Sequence, residues 1–365
     1  MRNLRPERSR TATAATVLGA AVVALLLLSG CSGEAGAGSE TASSSTSLLP
    51  AAEGVTEYPL TLTTAWGETS LEERPERIAV VNSYGTDVEL LASIGVSPVL
   101  APDTFERSVW TLDALAHEVE TVYAYDDAEP YPYETVAASE PDLIIVTAED
   151  IGAEAYERLS AIAPVLAAET SDDVVATWQD RLDQIATALD LSDAAADVVD
   201  GYDQFFSDVR EDNPEFEGLT ATYLVVFGSE WGIEYYSGTG STVESLFLSL
   251  GFSANPLAEN FDDTRTTVST ELISLVDADV LIVANNTQDL ERTEFDELLT
   301  SQSLFQQLDA VENNHVVIFD NAGTSYVFDG EEFEGNIAWA LGYPGPLSTE
   351  WAAERLVAMI DSVLG

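Results

Sequence analysis

The chain has 365 residues and a formal net charge of −52, with 65 acidic residues against 13 basic ones, every one of them arginine. Such a surface excludes nucleic acid and anionic lipid headgroups as partners, because both need concentrated positive charge. With no lysine, one cysteine and two histidines, the chain has no Walker phosphate loop, no Schiff-base lysine, no disulfide, and too few imidazoles and thiolates for a bare zinc or manganese ion.

Residues 1–30 read as a secretory leader. Arg2, Arg5, Arg8 and Arg10 give a basic head, Ala14 to Leu28 is almost wholly apolar, and Ser29 and Gly30 are small. A plain membrane anchor is the competing reading of the apolar run. The only cysteine, placed directly after the small pair, favours another. Leu28-Ser29-Gly30-Cys31 resembles the lipobox of bacterial lipoproteins, in which the signal is cut before the cysteine and Cys31 then carries lipid. Loss of four arginines and Glu7 with the leader would leave the remainder more negative still. Residues 31–56, dominated by Ser, Gly, Ala and Thr as far as Pro50, read as a flexible tether.

Beyond the tether, β-type runs alternate with helical patterns, which predicts an α/β fold with largely parallel sheets. In residues 57–190, "RIAVV", "SPVLAP", "TVYAY", "PDLIIVTA" and "PVLAA" read as strands of an N-terminal lobe, with "TDVELLASIG" and "EAYERLSAIA" as helices between them. Val174, Val175, Trp178, Leu182, Ile185 and Leu189 step at helical spacing. A second helix, with Ser192 as its expected N-cap and Pro214 at its end, makes 191–214 a stiff bridge. Residues 215–365 repeat the strand–helix plan as a C-terminal lobe: "TATYLVVFG", "STVESLFLSLG", "ADVLIVANN", "FDELLTSQSLFQQL", "HVVIFDN" and a closing helix from Ser348. "SEPDLIIVTAED" and "VDADVLIVANNT" echo each other, each with an acidic turn before a buried strand.

Enzyme chemistry finds no support. His117 and His315 are far apart, neither lies in a metal-ligand spacing, and "GTGST" (238–242) reads as a turn into a helix rather than a phosphate loop.

Five motifs in order carry a resemblance: "ERPERIAVV…DVELLASIGVSPVL", "YETVAASEPDLIIV", "ERLSAIAPVL", "FGSEWGIEYYSGTGSTVESLFLSLGF" and "VSTELISLVDADVLIV". Together, behind a lipobox, they resemble the substrate-binding lipoproteins of ABC importers for ferric siderophores, the helix-bridged class that also holds cobalamin and haem binders. The resemblance implies two Rossmann-like α/β lobes joined by a rigid helix, with ligand in the cleft between them. Its partners would be a ferric siderophore, an importer permease and that permease's ATPase, and it would need no cofactor. It implies a monomeric carrier, exported and lipid-anchored to the outer face of the cytoplasmic membrane, with iron held by the siderophore. Cobalamin or haem is the alternative ligand; for haem the chain offers only tyrosine as axial ligand.

Sites in open α/β sheets form at the carboxyl ends of strands, and the loops there are aromatic. The expected ligand contacts are Tyr84, Arg107, Trp110 and Tyr131, with Tyr125 and Tyr133 nearby, on the first lobe. Trp231, Tyr235, Tyr236, Arg265 and Tyr326 are expected on the second. Rings with polar tips suit a bulky, partly apolar chelate. In relatives one glutamate per lobe meets permease arginines; by motif position these are Glu134 and Glu271. Many hydroxamate-type relatives carry an arginine in the loop that here reads "AYDDAEPYPYE", where Asp126, Asp127 and Glu129 stand instead. An acidic mouth disfavours anionic ferric catecholates and tolerates neutral ferric hydroxamates.

The acid excess predicts adaptation to a saline exterior, since salt screens self-repulsion over about 10 Å at 0.1 M. Thermal melts from low to molar salt should rise in midpoint; a flat series would refute this.

Overall fold

The computed structural model describes residues 47–81, 84–126, 128–168, 176–228, 232–261, 266–287 and 292–365. Cys31 and its leader, Asp127, Val174, Val175, Trp231 and Arg265 lie outside them.

An antiparallel hairpin, β1 (Leu60–Thr64) and β2 (Gly67–Leu71), comes first. The first lobe then runs β3 (Ile78–Val80), α1 (Thr86–Ser93), β4 (Leu100–Pro102), a 3-10 turn (Asp103–Arg107), α2 (Val109–Ala114), β5 (Thr121–Tyr123), α3 (Tyr133–Ala138), β6 (Leu143–Val146), α4 (Gly152–Ser160) and β7 (Val165–Ala167). Its 5-stranded sheet is parallel throughout, in the order β5-β4-β3-β6-β7. Strands covered by helices on both faces are apolar on both faces, and Leu143, Ile144, Ile145 and Val146 are accordingly all fully buried.

Two helices follow, α5 (Trp178–Leu189) and α6 (Ser192–Asp212). The second lobe runs β8 (Ala221–Val226), β9 (Ile233–Tyr235), α7 (Thr242–Leu250), β10 (Thr266–Val268), a 3-10 stretch (Thr270–Val276), β11 (Val280–Asn285), α8 (Arg292–Thr300), α9 (Asp309–Glu312), β12 (Val316–Ala322), β13 (Ser325–Phe328), β14 (Glu331–Glu334), α10 (Ile337–Gly342) and α11 (Pro346–Leu364). Here 7 strands order as β10-β9-β8-β11-β12-β13-β14. Only the central β8-β11-β12 set is parallel, and antiparallel strands extend it on both sides. The α/β class is as the sequence led us to expect. Among the described residues no helix is long and apolar enough to cross a membrane.

The two echoing segments do the same physical work. Asp142, just before β6, accepts the backbone N–H groups of Glu76 and Arg77, both at 3.0 Å, on the approach to β3. Asp279, just before β11, accepts the N–H of Thr220 at 2.8 Å and its hydroxyl at 2.8 Å, on the approach to β8. In each lobe an aspartate fixes where the central pair of parallel strands begins. That repeat is why both segments read alike.

α5 opens with a reciprocal cap: the Thr177 hydroxyl accepts from the Asp180 N–H at 3.2 Å, and the Asp180 carboxylate accepts from the Thr177 N–H at 3.0 Å. Along α6, Tyr202 packs against the cores of both lobes, meeting Trp178 edge-on at 5.0 Å and Phe206 at 4.8 Å. The N-cap expected at Ser192 is not there; Ser192 is the first helical residue. Glu53 does that work from a distance, its carboxylate accepting the N–H groups of Asp193 at 2.7 Å and Ala194 at 2.9 Å. The expected tether over 31–56 is therefore too long at its far end. Leu49 is buried in the first lobe's core, and Glu53 to Thr56 are bonded to the α5–α6 corner. The cause is the charge of Glu53 and Asp190, which a composition-based tether overlooks.

Asp190 sits in the left-handed region (φ 54°) at the end of α5. Its carboxylate accepts the N–H groups of Gly54, Val55 and Thr56, each at 2.8 Å. These donors, led by Thr56, hold its carboxyl below the ordinary 3.8. A depressed carboxyl contributes stability above its unfolded value and loses that contribution as pH falls through the folded one. Asp190→Asn, which tolerates the same backbone geometry, should therefore lower the thermal midpoint at pH 7 by a few degrees. The gap should close toward pH 3; an equal gap at both pH values would overturn the assignment.

Candidate ligand cavity

Period-two alternation along β8 and its exit puts Tyr223, Val225 and Phe227 on one side of the second sheet, as the floor of a cavity. Tyr236 and the head of α7 form one flank, and α10 with Tyr343 forms the other. They enclose about 430 Å³, within the range of about 300–1,000 Å³ usual for small-molecule sites. Among the described residues, no Asp, Glu, Arg or His lines it. The Tyr223 hydroxyl has no hydrogen-bond partner among the described residues, and burial pushes its pKa upward, so it remains a neutral phenol.

α10 is short and needs its cap. The Asn336 side chain accepts from the Trp339 N–H at 2.9 Å and donates to the Gly323 carbonyl at 2.9 Å. Four residues apart on one helical face, Trp339 and Tyr343 meet with centroids 4.6 Å apart.

The first lobe closes over this pair. Tyr84, just before α1, stacks on Tyr343 at 4.1 Å and 21° and meets Trp339 edge-on at 6.1 Å. The Arg107 guanidinium lies 5.2 Å over the Trp339 ring. The indole N–H of Trp339 donates to the Ser108 hydroxyl at 3.3 Å. Gly85 makes the approach possible. Its φ is +67°, and a Cβ there would lie 2.7 Å from that of Phe105. Tyr84, Arg107 and Ser108 leave first-lobe strands β3 and β4 at their carboxyl ends, where open α/β sheets place their ligands.

The family model described as "Periplasmic binding protein" matches residues 79–322. The chain belongs to the periplasmic binding protein family. A comparison with curated protein sequences gave no match. Among solved structures, the chain is similar to a periplasmic solute-binding protein of Mycobacterium smegmatis, with 24% identity over 84% of this chain and 99% of that one and a TM-score of 0.65. It is also similar to the iron-uptake substrate-binding protein PiaA of Streptococcus pneumoniae (22%, 83% and 99%, TM-score 0.60). SirA of Staphylococcus aureus, solved with staphyloferrin B, gives 23%, 83% and 98%, with a TM-score of 0.59. At these identities the structural likeness establishes the fold.

In this periplasmic binding protein, Tyr84, Arg107 and Tyr236 of the expected contacts come together at the cavity and its mouth. Trp110, Tyr235 and Tyr326 do not line it. Trp110 is buried against Trp351 at 4.9 Å, Tyr235 is fully buried and stacks on Phe261 at 4.0 Å, and Tyr326 is buried against Phe333 at 5.1 Å. Tyr131 is held within its own lobe, donating to the Glu149 carboxylate at 3.0 Å. Burial and that carboxylate raise its pKa. Trp231 and Arg265 lie outside the described residues. Glu134 and Glu271 are exposed, in the first turn of α3 and of the 3-10 stretch before β11.

Sequence reasoning passed over Tyr223, Phe227, Trp339 and Tyr343. The last two had a signal in "NIAWALGYPG": an aromatic pair at i, i+4 between an Asn cap and a Gly/Pro exit. The first two sit in "TYLVVF", which looks like an ordinary buried strand.

The stacked pair across the lobes should be measurable. Tyr84→Ala and Tyr343→Ala in a double-mutant cycle should show a coupling of about 0.5–1 kcal/mol in unfolding free energy. Coupling indistinguishable from zero would remove the stack from the forces holding the mouth.

Proposed function

We propose that this protein captures a ferric siderophore outside the cytoplasmic membrane and delivers it, chemically unchanged, to an ABC permease driven by a separate ATPase. The observation that carries the reading is the mouth itself: rings from both lobes, with Arg107, around an aromatic cavity whose lining is uncharged among the described residues. The solved relatives include PiaA in complex with ferrichrome and SirA complexed with staphyloferrin B.

Electrostatics favour a hydroxamate ligand. A ferric trihydroxamate core is neutral, whereas a ferric tricatecholate is a trianion that a protein of charge −52 repels and that the described cavity lining, free of cationic side chains, does not compensate. In this reading Glu134 and Glu271 meet basic residues of the permease, and Cys31 carries the lipid that keeps the carrier at the membrane. Catalysis has no part in it.

Tryptophan fluorescence, titrated with ferric trihydroxamates, ferric tricatecholates, haem and cobalamin, tests the reading. A trihydroxamate should bind tightest, and Trp339→Ala should weaken it by about tenfold or more. Glu134→Ala with Glu271→Ala should abolish uptake and leave that affinity intact. No response to any ferric siderophore would overturn the reading, and preference for haem or cobalamin would replace its ligand.

A further inference from the structure

A buried carboxylate joins the lobes at a point where the ligand cavity makes no use of it. Glu89, in the middle of α1, is 3% exposed. Its Oε1 accepts the backbone N–H of Ser348 at 2.8 Å and the Ser348 hydroxyl at 2.9 Å, in the first turn of α11. Its Oε2 accepts the indole N–H of Trp110 at 3.0 Å. The Ser348 hydroxyl in turn accepts the Gly345 N–H at 2.7 Å. Gly345 leaves no spare room: a Cβ there would stand 2.3 Å from Glu89 Oε1. A carboxylate suits this place because it offers only acceptors to three donors and sits at the positive end of a 19-residue helix. Burial raises its pKa to about 7 against the pull of those donors and of Arg181, which itself pairs with Asp87 at 3.5 Å.

The positions along the two segments match. Tyr84 precedes Glu89 by five residues on the entry to α1, and Tyr343 precedes Ser348 by five on the entry to α11. The same two segments therefore meet twice, once through the ring stack at the cavity mouth and once through the carboxylate. α6 joins the lobes covalently and through Tyr202; the Glu89 bonds add directed polar contacts between them.

We propose that Glu89 is a positioning residue for ligand binding: bonded to the head of α11, it fixes the register between the lobes that brings Tyr84 over Tyr343 at the cavity mouth. Ligand affinity depends on it although it touches no ligand. The affinity arm of the test rests on the ligand reading above; the distance arm does not.

The test uses the full chain with Cys31→Ser and spin labels at Glu154→Cys on α4 and Glu297→Cys on α8, both exposed. Pulsed electron resonance reads the distance between lobes, and fluorescence titration with a ferric trihydroxamate reads affinity. Glu89→Leu should shift or broaden the distance distribution and weaken binding by about tenfold or more. Glu89→Gln, the variant that keeps the fold safest, retains an acceptor for both Ser348 donors but turns an amide N–H toward Trp110. It should restore most of the distribution, and adding Trp110→Phe, which removes that conflict, should restore more. An unchanged distribution in Glu89→Leu overturns the proposal, as does a Glu89→Gln protein as broadened as Glu89→Leu. If the native protein binds no ferric siderophore, the distance arm still decides the role of Glu89.

Discussion

Two sheets that share no strand must be held at one spacing, or the cavity has a floor and no lid. That constraint falls on the corner between α10 and α11. α10 supplies Trp339 and leads to Tyr343, its own start being fixed by the Asn336 cap. α11 begins two residues after Pro344 and at once meets α1 through Glu89. Polar bonds with defined geometry specify register in a way that apolar contact does not, because a lateral slip leaves buried donors unpaired at a cost of about 1–3 kcal/mol each. The Trp110–Trp351 contact beside it adds burial without that precision. The mouth is thus the downstream consequence of a buried carboxylate and a glycine.

Charge is distributed with the same economy. The exterior carries the acid excess, while the cavity lining, among the described residues, holds aromatic, aliphatic and neutral polar side chains. Arg107 lies over the Trp339 face at the boundary between the two regions. A ligand approaching through an acidic field and entering a neutral chamber gains nothing from being an anion and loses its hydration if it is one. In the proposed reading, selection by net charge then needs no charged side chain among the described lining residues, and shape and ring contact are left to do the rest.

Much of this architecture was legible in the residues. Runs such as "LIIV" and "VLIVAN" are buried on both faces, which only a helix-covered parallel strand requires, and the aspartates before them mark where the parallel strands start. The site was legible in part. "EYY" shows the limit: adjacent residues at a strand end point to opposite sides of a sheet, so Tyr235 goes to the core against Phe261 while Tyr236 goes to the cavity. Without the strand's phase, both looked alike. Tyr326, on β13, misled for the same reason, and Trp110 because the helical face it takes on α2 turns it to the core against Trp351. The Tyr84–Tyr343 pair, more than 250 residues apart, was beyond any local pattern, because it exists only once the lobes are in register.

The phase argument also explains why the α10 corner carries more than its sequence suggests. A strand-end aromatic has its orientation fixed by the sheet, and so by contacts within one lobe. Trp339 instead stands on a helix of six residues, and Tyr343 caps its end; such a helix is too short to be stable in water by itself. Its orientation is set within its lobe by the Asn336 cap and by Ile337, Ala340 and Leu341 in the core, and its half-buried side meets Ser108, Arg107 and Tyr84 of the other lobe. The wall of the cavity is therefore formed by an element seated in one lobe whose aromatic face is completed by the other. A change in the spacing of the lobes therefore acts directly on Trp339, through Ser108, Arg107 and Tyr84.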